Sequence, residues 1–191
     1  FRLTEFLIDA LLSEYTNFSM SLSPFFGDLR PFLWHNYGQD GQPHFEAGAY
    51  TGHVTLTDFE LSRYLASVRS VRRQEYKKTP AVVVQSDDLD LFLGLYQQTF
   101  ERQGIEVDSQ TTSMVRSICS MALEKGYGHL SCAEVDGRAA SMAFFVQDAG
   151  CAYYLFGAND PEMRDANASS RLLIDNIKSF SVMSIKRSAP H

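Results

Sequence analysis

The chain has 191 residues, of which 45% are hydrophobic and 13% aromatic, and this composition excludes an intrinsically disordered protein. Its formal net charge of −6 argues against nonspecific nucleic-acid binding by the protein as a whole. No apolar stretch approaches the roughly 18 to 20 residues that a membrane-spanning helix needs. No targeting signal is recognisable, so we expect a protein of the cytoplasm or a piece of a longer one.

The cysteines and histidines argue against two kinds of catalytic site. Cys119, Cys132 and Cys151 lack CxxC spacing and lie in apolar runs, which is typical of buried free thiols. No histidine has a spacing that suggests a partner for a cysteine nucleophile. The five histidines form neither an HxH nor an HExxH pattern, so no metal site is predicted.

The first 80 residues read as helices with a strand between them. Apolar spacing predicts a helix over 1–16, alternation predicts a strand over 17–24, and a short helix, a loop and an extended segment over 44–56 follow. A single helix is predicted over 57–78, with Asp58 as its N-cap and Pro80 beyond its end. This helix is basic, since it contains six of the 17 lysines and arginines: Arg63, Arg69, Arg72, Arg73, Lys77 and Lys78.

From residue 81 the pattern changes to strands and helices in a definite order. A β-branched strand over 81–85 precedes two helices, over 86–104 and 109–126, each closed by a glycine. Three strands follow, and the first two are joined by a tight turn at Asp136-Gly137. A last helix is predicted over 168–182. In the second helix the predicted inward residues are Met114, Ile118, Met121 and Ala122.

The segment "YYLFGANDPEMRDANASSRLL", residues 153–173, joins the third of these strands to the last helix. The first amides of a helix lack intrahelical partners and lie at the positive end of its dipole, so such a junction suits an anion. The candidate anion-binding residues are Arg164, Asn167, Ala168, Ser169 and Ser170, and Asn167 or Ser169 is expected to cap the helix. An ordinary capped helix after a loop is the alternative.

The order of elements resembles the GNAT N-acyltransferase superfamily, in particular its FemAB-type branch. The likeness rests on "YLASVRSVRRQEYKK", on "LYQQTFERQG" and on "AEVDGRAASMAFFVQDAGCAYYLFGANDPEMRDANASSRLLIDNI". It implies a mixed α/β (α+β) fold, a largely antiparallel sheet with flanking helices, preceded by part of a second GNAT-like copy. Residues 1–57 would be that partial copy, 58–80 a basic connecting helix and 81–191 the acyltransferase domain. The domain is short at its C-terminus, where 184–191 would supply only the start of a further strand.

The resemblance also implies a donor site. Acetyl-CoA or another acyl-CoA would place its pyrophosphate on a turn of the form Q/R-x-x-G-x-G/A, in which Arg164 fits the first position. Asn167 and Ser169 replace the two small residues, and asparagine tolerates the left-handed conformation better than most residues. FemAB-type transferases use aminoacyl-tRNA, which is a possible donor that the net charge disfavours. The donor would lie beside residues 152–156, where a backbone N–H stabilises the oxyanion.

Two side chains are candidates for catalysis. Tyr153 and Tyr154 point to opposite faces of a strand, so only one enters the cleft. Either could be the general acid, with a core tyrosine as the alternative, and Tyr154 is the candidate that we name. Glu134, before the hairpin turn, is a candidate base acting through water, and a solvated glutamate at a strand end is its alternative.

Two groups of residues are candidates for binding the acceptor. Arg69, Arg72 and Arg73, with Lys77 on the same helical face, would hold a diphosphate or sugar nucleotide, or else form a solvated face with Glu75 as partner. Three further candidates would form a platform for a sugar ring: Arg30, Trp34 and Tyr37. The alternative is that Trp34, a sole tryptophan beside phenylalanines, is a core residue.

The expected function is transfer of an acyl or aminoacyl group, from CoA or aminoacyl-tRNA, to a small-molecule or sugar-linked amine of a cell-envelope or polysaccharide precursor. A catalytically inactive GNAT-fold binding or scaffold domain is the first alternative, favoured by Asn167 and the short C-terminus. A nucleic-acid binder using residues 63–78 is the second. The oligomeric state is not predicted.

Overall fold

The computed structural model describes residues 2–16, 18–20, 22, 26, 29–37 and 52–188. The chain divides into two compact units, residues 1–54 and residues 55–191. The first contains helices α1 (Arg2–Glu14) and α2 (Arg30–Trp34), as the sequence predicted. The strand predicted over 17–24 is not formed at 18–20 or 22, and the remainder of that segment lies outside the described residues. Of the predicted extended segment, 52–56 has no strand pairing and 44–51 lies outside them.

The second unit contains a four-stranded sheet in the order β1-β2-β3-β4, with every neighbouring pair antiparallel. The predicted mixed fold with a largely antiparallel sheet and flanking helices is confirmed. In chain order its elements are α3 (Leu61–Ser67), α4 (Ser70–Lys78), β1 (Val82–Ser86), α5 (Leu89–Glu101), α6 (Ser109–Glu124), β2 (Gly128–Val135), β3 (Arg138–Gln147), β4 (Ala152–Asn159), a 3₁₀ helix (Pro161–Ala166) and α7 (Ala168–Ser188).

The single basic helix predicted over 57–78 is wrong, because the chain breaks it into α3 and α4. Val68 and Arg69 leave the helical region, with ψ angles of 155° and 138°. The guanidinium of Arg73 donates to the carbonyls of Leu65 (3.2 Å) and Ala66 (3.4 Å), which are among the carbonyls that lose partners at the end of α3. Asp58 does not cap this helix, because it has a positive φ of 51° and α3 begins after Glu60.

Local capping explains why α5, α6 and the β2–β3 hairpin form where the sequence predicts them. Asp88 accepts a hydrogen bond from the amide of Leu91 (2.8 Å), and Asp108 accepts one from the amide of Thr111 (2.6 Å). Positive φ angles at Asp136 (52°) and Gly137 (77°) give the twist that a two-residue hairpin turn needs.

Helices cover both faces of the sheet and create two hydrophobic cores. Helices α5 and α6 pack on one face, and α7 with α4 outside it packs on the other. The predicted inward face of α6 is correct at Ala122, which is buried, and wrong at Met114 and Met121, which are 54% and 46% exposed. The buried stripe consists of Val115, Cys119 and Ala122, whose smaller side chains let the helix lie close to the sheet.

Helix α7 is longer than the sequence analysis expected. It continues to Ser188, so residues 184–188 are helical and do not start a strand. No proline or glycine interrupts residues 168–188, which removes the usual signal for a helix end. Among the described residues no strand pairs with the outer edge of β4, which is therefore an edge strand of the sheet.

Candidate functional site

The predicted anion-binding residues come together where β4 leads into α7. After β4 the chain forms the 3₁₀ helix, and Asn167 then takes the left-handed conformation, with φ 54° and ψ 29°, directly before α7. The side-chain Nδ2 of Asn167 donates to the carbonyl of Asp165 (2.9 Å). Asparagine therefore does tolerate the backbone conformation that the sequence argument required at this position.

A polar network missed by the sequence analysis fixes the first turn of α7 to the end of β4. The Oδ1 atom of Asn159 accepts hydrogen bonds from Ser169 Oγ (2.5 Å) and Ser141 Oγ (2.8 Å). The backbone amide of Asn159 donates to Thr99 Oγ1 (2.8 Å), and that hydroxyl donates to the Asn159 carbonyl (3.2 Å). Elements α5, β3, β4 and α7 are thus joined through one asparagine.

The predicted capping of α7 by Asn167 or Ser169 is wrong, because these side chains bond elsewhere. Asn167 bonds back to Asp165, and Ser169 bonds to Asn159. Ala168 is buried in the core beneath the helix, and Ser170 is 7% exposed. The groups left to meet an anion are therefore the first backbone amides of α7 and the side chain of Arg164.

Arg164 is exposed at the end of the 3₁₀ helix. Its carbonyl accepts a hydrogen bond from the amide of Asn167 (3.1 Å), so it lies one turn before α7. Its guanidinium makes no hydrogen bond or ion pair with any residue that the structure describes. A cation without an internal partner beside a helix N-terminus is available to a ligand phosphate.

Helix α4 packs against the beginning of α7 and brings Arg72 to it. The Oε2 atom of Glu75 accepts hydrogen bonds from Ser170 Oγ (2.5 Å) and from Arg72 Nη1 (2.7 Å). Further along α7, Asp175 accepts a hydrogen bond from the hydroxyl of Tyr76, the residue after Glu75 in α4 (3.0 Å). Of the three arginines predicted to hold the acceptor, Arg72 therefore lies beside the predicted donor turn.

The other arginines of that group have different surroundings. Arg73 binds carbonyls at the end of α3, which makes it part of the junction between α3 and α4. Arg69 is exposed and has no partner among the described side chains. The three arginines therefore do not form a single binding cluster, because each has different surroundings.

The remaining acceptor candidates lie in the first unit. Trp34 is 61% exposed and Tyr37 82% exposed, so Trp34 is not a core residue. The guanidinium of Arg30 lies 5.6 Å from the centre of the Trp34 ring, which is within the range of a cation–π contact.

Tyr154 lies next to an irregularity in β4. Phe156 pairs with Phe144 and Tyr154 pairs with Phe145, so Leu155 is an extra residue and forms a β-bulge. The rings of Tyr154 and Phe145 are 5.6 Å apart, and partial burial raises the pKa of Tyr154 above its usual value. The phenol therefore keeps its proton throughout the neutral range.

The two predicted catalytic residues are not brought together. Glu134 pairs with Ala139, and Tyr154 pairs with Phe145. Ala139 and Phe145 are six residues apart on β3, which corresponds to about 20 Å along the strand. Glu134 is half-buried and makes no hydrogen bond within the described part of the chain.

A second polar cluster that the sequence analysis missed lies between β2 and α7. The Nε2 atom of His129 lies 2.8 Å from Ser131 Oγ and 3.2 Å from Asn176 Oδ1, and Ser131 donates to that same Oδ1 (2.9 Å). Asn176 Nδ2 donates to the Leu172 carbonyl, which fixes the amide orientation. Because Ser131 donates its only hydroxyl hydrogen to Asn176, the two contacts of His129 Nε2 are hydrogen bonds only if that nitrogen carries the imidazole proton. Desolvation lowers the pKa of His129, opposed in part by the hydrogen bond to Asn176.

Two of the three cysteines have the buried, unpaired character that the sequence predicted. Cys119 and Cys132 are buried free thiols, and Cys151 is half-buried. Burial raises the pKa of Cys119 to about 12, and burial together with Glu134 raises the pKa of Cys132 to about 11. These thiols therefore remain protonated and are poor nucleophiles.

Within the part of the chain that the structure describes, no group of three or more histidine, cysteine, aspartate or glutamate side chains is arranged to hold a metal ion. Every described helix is too short or too polar to cross a bilayer.

The acetyltransferase (GNAT) domain family matches residues 62–180, which is more than half of the chain. The matched segment begins in α3, includes the sheet and the turn at Asn167, and ends in α7. The chain therefore belongs to the GNAT acetyltransferase domain family, whose members generally use an acyl-CoA donor. Comparison with curated proteins finds no match to this chain.

Proposed function

We propose that this chain is an N-acyltransferase that moves an acyl group from acyl-CoA, with acetyl-CoA as the first candidate, to an amine. The acceptor that we propose is an amine of a cell-envelope or polysaccharide precursor, as the resemblance to the FemAB-type branch implies. The observation that carries the proposal is the exposed guanidinium of Arg164, which lies one turn before α7 and has no partner among the described residues, in a chain of the GNAT family.

The donor phosphates would bind at the start of α7. The first amides of this helix have no intrahelical acceptors and lie at the positive end of the helix dipole. Arg164 adds a full positive charge from the preceding turn. Arg72 lies nearby, because it shares the Glu75 carboxylate oxygen with Ser170 of the first turn, and its charge is paired with that carboxylate. This assignment moves Arg72 from the acceptor site to the donor site.

The acyl end of the donor would follow the outer edge of β4. From Asn159 to the bulged Leu155 is four residues, or about 13 Å of extended chain, and a pantetheine arm is long enough for that path. An edge strand offers backbone N–H groups to an added chain or ligand. One of these N–H groups near Leu155 would stabilise the oxyanion that forms during acyl transfer.

The chemistry needs no covalent intermediate on the protein. The neutral acceptor amine attacks the thioester carbonyl carbon, a C–N bond forms, and the tetrahedral intermediate collapses with cleavage of the C–S bond. The amine loses a proton to water, the Tyr154 hydroxyl supplies a proton to the leaving CoA thiolate, and the resulting phenolate regains a proton from water. Its raised pKa keeps that proton in place near neutral pH. Glu134, about 20 Å along the sheet, has no role in this scheme.

A transfer assay with several donors and acceptors tests the proposal. The purified chain is incubated with radiolabelled acetyl-CoA and, separately, glucosamine, a uridine-diphosphate amino sugar and a lysine-containing peptide. A labelled amide product would support the proposal. Transfer only from aminoacyl-tRNA would move the donor to that class. Binding of acetyl-CoA without transfer to any amine would favour the inactive, ligand-binding form of the fold.

A further inference from the structure

We propose that Gly157 is a positioning residue: its missing side chain leaves the space in which the Tyr154 hydroxyl lies against β4, beside the bulge. The inference rests on the proposed acyl transfer, in which Tyr154 protonates the leaving thiolate. Gly157 itself touches neither donor nor acceptor in this scheme, and it acts through the tyrosine.

The bulge is what brings these two residues onto one face of the sheet. In a regular strand, residues three apart point to opposite faces, because side chains alternate. The extra residue Leu155 shifts the alternation by one, so that Tyr154 pairs with Phe145 and Gly157 pairs with Ala143. Phe145 and Ala143 are two apart on β3 and therefore share a face. Tyr154 and Gly157 share that face with them.

The phenol occupies the volume that a side chain at position 157 would need. A Cβ atom built on Gly157 would lie 1.8 Å from the Tyr154 hydroxyl oxygen and 3.0 Å from Cζ. Atoms that are not bonded do not approach this closely. The tyrosine ring thus extends along β4 over Gly157, in the direction of Asn159 and the start of α7.

The hydroxyl in this position is available to a ligand. Tyr154 is 54% exposed, and its ring is supported from β3 by Phe145 at 5.6 Å. Its oxygen makes no hydrogen bond with any residue that the structure describes, although nearby apolar groups partly desolvate it. A supported phenol with a free donor beside a bulged edge strand has the geometry of a general acid.

Substitution of Gly157 would displace the tyrosine without breaking the strand. The three atoms nearest to a Cβ at position 157 all belong to the Tyr154 side chain, which can rotate away. Alanine at 157 would therefore rotate the phenol away and leave the sheet intact. The substitution therefore changes the position of the Tyr154 hydroxyl without lowering the stability of the fold.

A double-mutant cycle tests the proposal, with Gly157→Ala, Tyr154→Phe, both together, and Gly94→Ala as the matched control. Gly94 lies in α5, and a Cβ there meets nothing within 4 Å. Acetyl transfer is measured as kcat and KM, and tyrosine ionisation by ultraviolet titration. We expect Gly157→Ala and Tyr154→Phe each to lower kcat by about 100-fold with little change in KM for acetyl-CoA. The double variant should be no slower than Tyr154→Phe, and Gly94→Ala should match the wild type.

The titration provides a result that does not depend on activity. One tyrosine, identified by its loss in Tyr154→Phe, should ionise at higher pH in the wild type than in Gly157→Ala. Unchanged ionisation in Gly157→Ala would overturn the inferred placement. If the wild type is active and Gly157→Ala has the same kcat, the positioning role is overturned and the proposed function remains intact. A shifted titration in a wild-type protein without transferase activity would instead refute the proposed function.

Discussion

Glu75 and Ser170 form a direct hydrogen bond of 2.5 Å between helix α4 and the first turn of α7, although they are 95 residues apart in the chain. The same carboxylate oxygen accepts from Arg72, and the Glu75 side chain is only 15% exposed. A carboxylate with so little access to water depends on these partners. Helix α4 is thereby fixed beside the turn at which we propose that the donor binds.

Ser170→Ala should lower the free energy of unfolding by about 1–2 kcal/mol, because a mostly buried carboxylate loses one of its two donors. Urea denaturation of the variant and the wild type measures the difference. Ser117→Ala is the control, since Ser117 is exposed and, among the described residues, donates only to the Ser113 carbonyl of its own helix. Equal losses in the two variants would contradict the role assigned to the contact between Ser170 and Glu75.

Gly128→Ala should destabilise the fold by about 2 kcal/mol or more, because no side chain fits at the start of β2. A Cβ there would lie 2.8 Å from backbone atoms of Ala122 and Leu123, which cannot rotate away. Thermal and urea unfolding measure the loss. Gly94→Ala, within helix α5, should gain about 0.5–1 kcal/mol. A Gly128→Ala protein as stable as the wild type would refute the close approach of α6 to β2.

The His129 cluster should make the fold sensitive to acid. Desolvation lowers the pKa of His129 in the folded state, so the unfolded chain binds more protons as the pH falls below the usual histidine value of about 6.5. The stabilisation from neutral His129 is therefore complete above that value and is lost as the pH falls through and below it. His129→Gln should reduce the loss of unfolding free energy between pH 7.5 and pH 5.5. An identical loss in both proteins would contradict the assignment.

The elements that the sequence predicted correctly depend on local chemistry. Asp88 and Gly104 bound α5, and Asp136-Gly137 forms the hairpin turn, because the conformations that these residues prefer are the ones required there. Asn167 belongs to the same class, since its tolerance of a positive φ can be recognised from residue type alone.

The features that could not be predicted depend on contacts between distant parts of the chain. The break between α3 and α4 involves Arg73 reaching the carbonyls of the preceding helix. The His129 cluster joins residues 47 positions apart, and the Leu155 bulge is visible only in the pairing with β3. The proposed placement of Arg72 on the donor side rests on the tertiary packing of α4 on α7.

Calorimetric titration of acetyl-CoA into the wild type, Arg164→Gln and Arg116→Gln tests the donor site most directly. Arg116 is a suitable control because it lies on α6, which packs on the opposite face of the sheet from α7, and it pairs with Asp90 (2.6 Å). We predict saturable binding to the wild type and to Arg116→Gln. Arg164→Gln should bind about tenfold more weakly, which corresponds to about 1.4 kcal/mol. No binding to the wild type, or equal binding by all three proteins, would contradict a donor phosphate site at this turn.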